Sequence, residues 1–303
     1  MRSLRHTRVF MDTTVTAEVV GPVEDLQAAE ALERAFGWFA EVEARCSRFD
    51  AASELRQLAL RPGEAVRVSP LLCSTVAFAL AVAKASFGAF DPTLGARMEE
   101  RGLDRDYRTR QPASSGVRPE DGVSWRDVAV DPDVSLITLR RPLLLDLGAV
   151  AKGLAIDLAL RELAGFPGAA VDAGGDIAVH GLNAEGGPWR IGIRHPRTPG
   201  AVFTRVCLGE GAVCTSGDYE RRAPAGGSHI LDPRTGEAAE TVASCTVVAP
   251  SAMLADALGT AATVLGPRRG ISWLRDQGVE GLILTPALNR HATPGFGGLE
   301  RCP

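Results

Sequence analysis

Apolar and polar residues alternate from Arg8 to Val20, which predicts a strand closed by Gly21-Pro22. Leu26, Ala29, Leu32, Phe36, Phe39 and Val42 then recur at three- and four-residue spacing and predict a long amphipathic helix. A second helical run extends from about Pro70 to Phe87, and the polar stretch Asp104 to Asp121 reads as a loop. From Val128 onward the period shortens to that of strands, at Ser135–Leu139, Leu143–Leu145, Ala169–Asp172, Ile177–His180, Trp189–Arg194, Val202–Leu208, Ala243–Val248 and Val279–Leu284. Helices at about Ala149–Leu163, Met253–Leu265 and Arg268–Asp276 interrupt them. This irregular order favours an α+β fold over a doubly wound sheet. With neither linker nor repeat, the chain reads as a single domain of two interleaved α+β halves, with mixed or antiparallel sheets and helices. That domain covers residues 1–285, and an irregular C-terminal tail covers 286–303.

Composition narrows the class. The 303 residues are 45% hydrophobic and 23% charged, too apolar for a disordered chain. With 33 basic against 37 acidic residues the net charge is −4, which argues against nucleic acid as a partner. No run approaches the length of a membrane span, and no apolar segment follows Arg2, Arg5 and Arg8 as a secretory signal requires. As written, the chain is expected in the cytoplasm. Six cysteines stand singly with no C-x-x-C, so they read as buried free thiols rather than a disulfide framework or a zinc site. Only two lysines occur among the 33 basic residues, Lys84 and Lys152.

The familiar nucleotide loops G-x-G-x-x-G and G-x-x-x-x-G-K-[ST] are absent, as is the G-x-S-x-G hydrolase elbow. Polar clusters inside apolar stretches carry the chemistry instead. Leu143-Leu144-Leu145 runs into Asp146, Gly148 and a helix bearing Lys152. This is either a buried Asp146–Lys152 bridge or helix cap, or a phosphate site at a helix N-terminus with Lys152 as counter-charge. Asp256 and Thr260 lie i and i+4 on one face of an otherwise apolar helix. They suit a hard cation, unless Thr260 merely bonds back to the helix. His229 lies on an expected strand just ahead of the Asp232–Gly236 turn, either as a general base or as an ordinary satisfied histidine. Phe90-Asp91-Pro92-Thr93 and Gly174-Gly175-Asp176 add two more turns.

In order and wording these segments resemble the FAD:protein FMN transferase (ApbE) family. The resemblance runs from Met11-Asp12-Thr13-Thr14 through Ser47-Arg48-Phe49, Ser53-Glu54-Leu55, Phe90 to Thr93, Asp146 to Asp157, Gly174 to Asp176, Thr215-Ser216-Gly217 and His229 to Gly236. It ends with Ala255 to Gly266. It implies Mg²⁺-dependent transfer of FMN from FAD to a Thr or Ser hydroxyl, releasing AMP. The target would be a flavoprotein carrying a Ser/Thr-Gly-Ala-Thr-type segment. The resemblance further implies Asp256, Thr260 and the Ala149 carbonyl as metal ligands, and His229 as base. It implies Met11, Phe49, Ala89, Phe90, Asp91, Asp146, Lys152 and Ile230 as flavin-nucleotide contacts. Two positions depart from it: Phe49 stands where members often have Tyr, and Asp12 where glycine is usual. Many members are exported lipoproteins, so a trimmed form is the alternative to a cytoplasmic one. The same site could instead hydrolyse FAD to FMN and AMP, or hold FAD without turnover.

Overall fold

The computed structural model describes residues 1–21, 26–109, 111–219 and 226–302. The chain opens with a hairpin of β1 (Ser3–Phe10) and β2 (Thr13–Val20), joined by Met11 and Asp12. Both turn residues have positive φ, 50° and 62°, as a two-residue hairpin turn of this hand requires. The single strand expected over Arg8–Val20 is therefore two strands. A two-residue reversal leaves the alternation unbroken, so the pattern could not reveal it.

Helix α1 (Leu26–Cys46) buries Ala28, Leu32, Ala35, Phe36, Phe39 and Val42. Leu26, at its start, is exposed. Ser53 caps α2 (Glu54–Ala59), β3 (Ala65–Arg67) follows, and Ser69 caps α3 (Pro70–Ala85), with Pro70 in the first turn where its missing N–H costs nothing. After α4 (Gly95–Glu100), β4 (Val128–Asp131) and β5 (Leu136–Leu139) join β3 in a small sheet.

The strand expected at Leu143–Leu145 joins no sheet. The Leu144 carbonyl takes the Gly95 N–H at 3.1 Å, and the Asp146 N–H donates to the Pro92 carbonyl at 2.7 Å. Its leucines are buried, so hydrophobicity imitated a strand where the backbone is paired to the start of α4 and the turn before it.

The remaining elements are α5 (Gly148–Glu162), β6 (Gly168–Ala173), β7 (Asp176–Gly181), β8 (Trp189–Arg194), β9 (Val202–Leu208) and β10 (Glu210–Gly217). Then come β11 (Ser244–Ala249), α6 (Ala252–Leu265), α7 (Pro267–Asp276), β12 (Glu280–Leu284), β13 (Arg290–Ala292) and α8 (Phe296–Leu299). Eight strands form one sheet in the order β1-β2-β6-β7-β10-β11-β12-β13, and every pairing is antiparallel. Both faces are covered, and the strand period of two divides the side chains between them. Ala178, Ala212, Cys214 and Ile283 enter the main core with α1, α5 and α6. Val179, Val213, Leu282 and Leu284 enter a second core with the β8–β9 hairpin and Phe296. The fold is α+β, as expected.

Two expectations fail at the C-terminus. The tail from Pro286 is not irregular, because β13 extends the sheet and Phe296 of α8 is fully buried. Nor are all six cysteines free: Cys207 of β9 is bridged to Cys302, 95 residues away. Cys46, Cys73, Cys214 and Cys245 are free and buried. Single cysteines so far apart leave no spacing signal, and only the fold brings the pair together. No helix among the described residues is long and apolar enough to cross a membrane.

Candidate active site

The site is built on two helices locked side by side. A Cβ at Gly153 of α5 would stand 2.5 Å from the backbone of Met253, so only glycine lets α6 approach this closely. Asp157, one turn further along α5, then caps α6. Its carboxylate accepts the Ala252 and Met253 N–H groups at 2.7 and 2.9 Å, and burial raises its pKa above the ordinary carboxylate value. Ser251 adds the usual hydroxyl cap. On the sheet side Gly259 faces Ser216, Val247 and Cys245, which seats α6 on β10 and β11.

This arrangement sets three charges together. The Lys152 ammonium makes its close ion pair with Asp176 and stands 3.4 Å from Asp256 Oδ2. Asp176 opens β7 directly after the Gly174-Gly175 turn, whose φ values of 69° and 99° favour glycine. Its other oxygen accepts the Thr215 N–H at 3.0 Å. Two buried carboxylates against one ammonium leave an excess negative charge. Asp256 Oδ2 in particular is buried without a hydrogen-bond partner, a costly state unless something binds there. Thr260, one turn on, is half-buried on the same face, and the hydroxyl that does bond back within this helix is that of Thr263, to the Gly259 carbonyl. Ala149 lies in the first turn of α5. Carboxylate, hydroxyl and peptide-carbonyl oxygens are the donor types that a hard divalent cation takes. The orphaned Oδ2 fits such an ion, although no group of three His, Cys, Asp or Glu gathers as a cage among the described residues.

The Asp146–Lys152 bridge is replaced by separate partners. Asp146 accepts from Arg48 Nε at 2.5 Å and, just ahead of α5, from the Gly148 N–H at 2.7 Å. Arg48 also lies 4.1 Å from the centre of the Phe49 ring, which brings Phe49 and Asp146 into one cluster.

Ala89, Ile230 and Val264 meet in a small apolar cluster. Val264 follows Thr260 by one turn on α6, so Ala89 and the segment bearing His229 pack on α6 one turn beyond Thr260. His229 is half-buried at a bend rather than on a strand. The Asp232–Gly236 turn is present, closed by the Gly236 N–H on the Asp232 carbonyl at 2.8 Å. Asp91 accepts from the Thr93 N–H and hydroxyl and, through its other oxygen, from the Trp125 N–H. Burial raises its pKa. Phe90 is buried, and Met11 packs against the main core from the β1–β2 turn.

Three residues of the site were not singled out by the sequence: Asp176, Asp157 and Arg48. Asp176 was visible only as part of a Gly-Gly-Asp turn. Arg48 had no signal beyond its motif, since neither charge nor period marks a buried arginine.

A close helix pair, a charge cluster at its crossing and loops packed beside it characterise this α+β protein. The chain belongs to the ApbE family, whose profile matches residues 11–283. It is 33% identical over 303 aligned residues to the FAD:protein FMN transferase of Treponema pallidum, covering 91% of this chain and 82% of that protein. With the protein of the same name from Rhodobacter capsulatus it shares 36% identity over 71% of its length, but spans only 43% of that relative. Among solved structures, the ApbE protein of Thermotoga maritima superposes with a TM-score of 0.88 at 29% identity, covering 99% of this chain and all of the other. The flavin transferase ApbE of Vibrio cholerae gives 0.85 at 25% identity, with 98% and 99% covered.

Proposed function

We propose that this chain transfers FMN from FAD to a Ser or Thr hydroxyl of a target flavoprotein. The reading is carried by the buried Lys152–Asp176–Asp256 centre, with its unsatisfied carboxylate oxygen, in a chain of the ApbE family. Asp256, Thr260 and the Ala149 carbonyl would hold Mg²⁺. When bound, that ion supplies charge neutralisation at the FAD pyrophosphate.

Lys152, held by Asp176, presents a compact positive charge to the same pyrophosphate. His229 takes the proton of the target hydroxyl, because a neutral hydroxyl is a poor nucleophile. The hydroxyl oxygen forms a bond to the FMN-side phosphorus as the bond from that phosphorus to the bridging oxygen breaks, and AMP leaves with that oxygen. Asp146, Asp91, Phe90, Ala89, Ile230, Met11 and Phe49 orient the nucleotide. The target segment is of the Ser/Thr-Gly-Ala-Thr type.

For location, the Cys207–Cys302 bridge supports an oxidising compartment over the cytoplasm, since such bonds are rare in reducing ones.

The test is incubation with FAD, Mg²⁺ and a protein bearing a candidate segment. Flavin fluorescence that stays on the target through a denaturing gel is the expected result. FMN and AMP released at the same rate with and without target would replace transfer by hydrolysis, and intact FAD after long incubation would leave only binding.

A further inference from the structure

Helix α3 ends in a Schellman motif. The Phe87 N–H donates to the Lys84 carbonyl at 3.2 Å, and the Gly88 N–H to the Ala83 carbonyl at 2.8 Å. The first of these positions takes a left-handed backbone, for which glycine is the usual residue, and Phe87 holds it with a φ of 55°. A bulky side chain is strained there. Packing offers nothing in return, since Phe87 is 90% exposed, more than any other large apolar residue described. Glycine would suit the backbone better and would remove an exposed ring. Neither local folding nor the core therefore accounts for this phenylalanine, and strain of this kind collects where a surface has work to do.

Two of the four tryptophans of the chain flank the same turn. Trp273 of α7 donates from Nε1 to the Ala85 carbonyl at 3.2 Å, and Trp125 Nε1 lies 3.6 Å from the Cβ position of Gly88. The Arg126 guanidinium covers the Trp125 ring, 4.5 Å from its centre. Lys84 is exposed on the last turn of α3. Neither Lys84 nor Arg126 forms an ion pair among the described residues. An exposed aromatic anchor with aromatic and arginine neighbours has the composition of a protein-binding surface.

Position selects the partner. Ala89 follows Phe87 by two residues, at most about 7 Å of chain, and packs with Ile230, the residue directly after His229. A protein that brings its hydroxyl to His229 passes this rim. A projecting ring suits such a partner better than a small ligand, which binds in a concavity. We propose that Phe87 is the anchor on which the target flavoprotein docks. Its ring enters an apolar depression of the target, and Lys84 and Arg126 face acidic groups around that depression. The proposal rests on the transfer reading above and adds to it the surface chemistry of the target.

The experiment compares wild type with Phe87→Gly and Lys84→Glu. Transfer is measured over a range of concentrations of a folded protein bearing a Ser/Thr-Gly-Ala-Thr-type segment, and FAD binding by titration at fixed Mg²⁺. Phe87→Gly should raise the KM for the target about tenfold or more. Its kcat and FAD dissociation constant should stay within about twofold of wild type, the tolerance of a residue outside the nucleotide site. Its unfolding midpoint should rise, because glycine fits the left-handed position. Lys84→Glu should raise KM by about two- to fivefold at low salt, an effect that added salt removes. An unchanged KM in Phe87→Gly would overturn the proposal. So would an equal loss of FAD affinity, which would put the ring in the nucleotide site, or a lower midpoint, which would give it to the fold. A wild-type dimer that Phe87→Gly turns into a monomer would assign the ring to a second copy instead. A wild-type chain that cleaves FAD without labelling the target would overturn the transfer reading, and this proposal with it.

Discussion

The helix pair α5–α6 and the loops facing it position side chains by opposite means. In the pair, placement comes from regular backbone: glycine at the crossing, Asp157 on the next helix's N-terminus, and charges spaced by helical turns. In the loops it comes from side chains bonded to backbone. Asp91 holds Thr93 and Trp125, Asp146 holds Gly148, and Arg48 and Arg56 bind the carbonyls of Leu103, Ala113 and Ser114. The difference matches the work proposed for each. A metal and a pyrophosphate need charges at fixed separation, which packed helices supply. A planar ring needs a shaped surface, which loops can mould around it.

Changes to the charges of the pair should therefore be the most severe, and changes to its packing and capping progressively smaller. Asp256→Ala is the largest: flavin transfer at ordinary Mg²⁺ should fall by about 100-fold or more, as followed by target fluorescence on a denaturing gel. Wild-type rate in this variant would remove Asp256 from the metal site.

Gly153→Val comes next, because its Cβ would meet the Met253 backbone at 2.5 Å. A loss of about 2–3 kcal/mol in denaturant unfolding is expected from the overpacking, with transfer reduced as the helices separate. Asp157→Ala removes two cap bonds and should cost about 1–2 kcal/mol with the fold intact. An unchanged midpoint would show that Ser251 alone caps α6.

The smallest effect is a pH slope. Burial raises the Asp157 pKa in the folded chain, so the folded state holds this proton more tightly than the unfolded state. The contribution that favours folding is complete below the ordinary carboxylate value and is lost as pH rises through the raised one. Thermal melts of wild type should show that loss across this window, and Asp157→Asn should flatten it. An identical slope in both would assign it to another group, of which the buried Asp91 is the first to examine.

The helix pair was also the more legible region. Its helices stand within a residue of where apolar spacing put them, and Lys152, Asp256 and Thr260 were readable as polar residues inside apolar runs. Their alignment on helical faces follows from period alone. The loops were legible mainly through the family resemblance. Leu143–Leu145 looked like a strand because a buried apolar run carries no mark of where its backbone hydrogen bonds go. His229 and Asp91 could be named, but their surroundings could not.

By itself the sequence determined the α+β class, most helices and strands, and the candidate carboxylates and lysine, because local period and composition act over a few residues. Tertiary structure decided the partners. It gave Lys152 to Asp176, Asp146 to Arg48, Asp157 to the N-terminus of α6, and Cys207 to Cys302. These pairs are 24 to 98 residues apart in the chain, and the order of the chain holds no information on which buried charges will meet. That choice is made when the sheet closes and desolvation leaves each charge only the partners within reach.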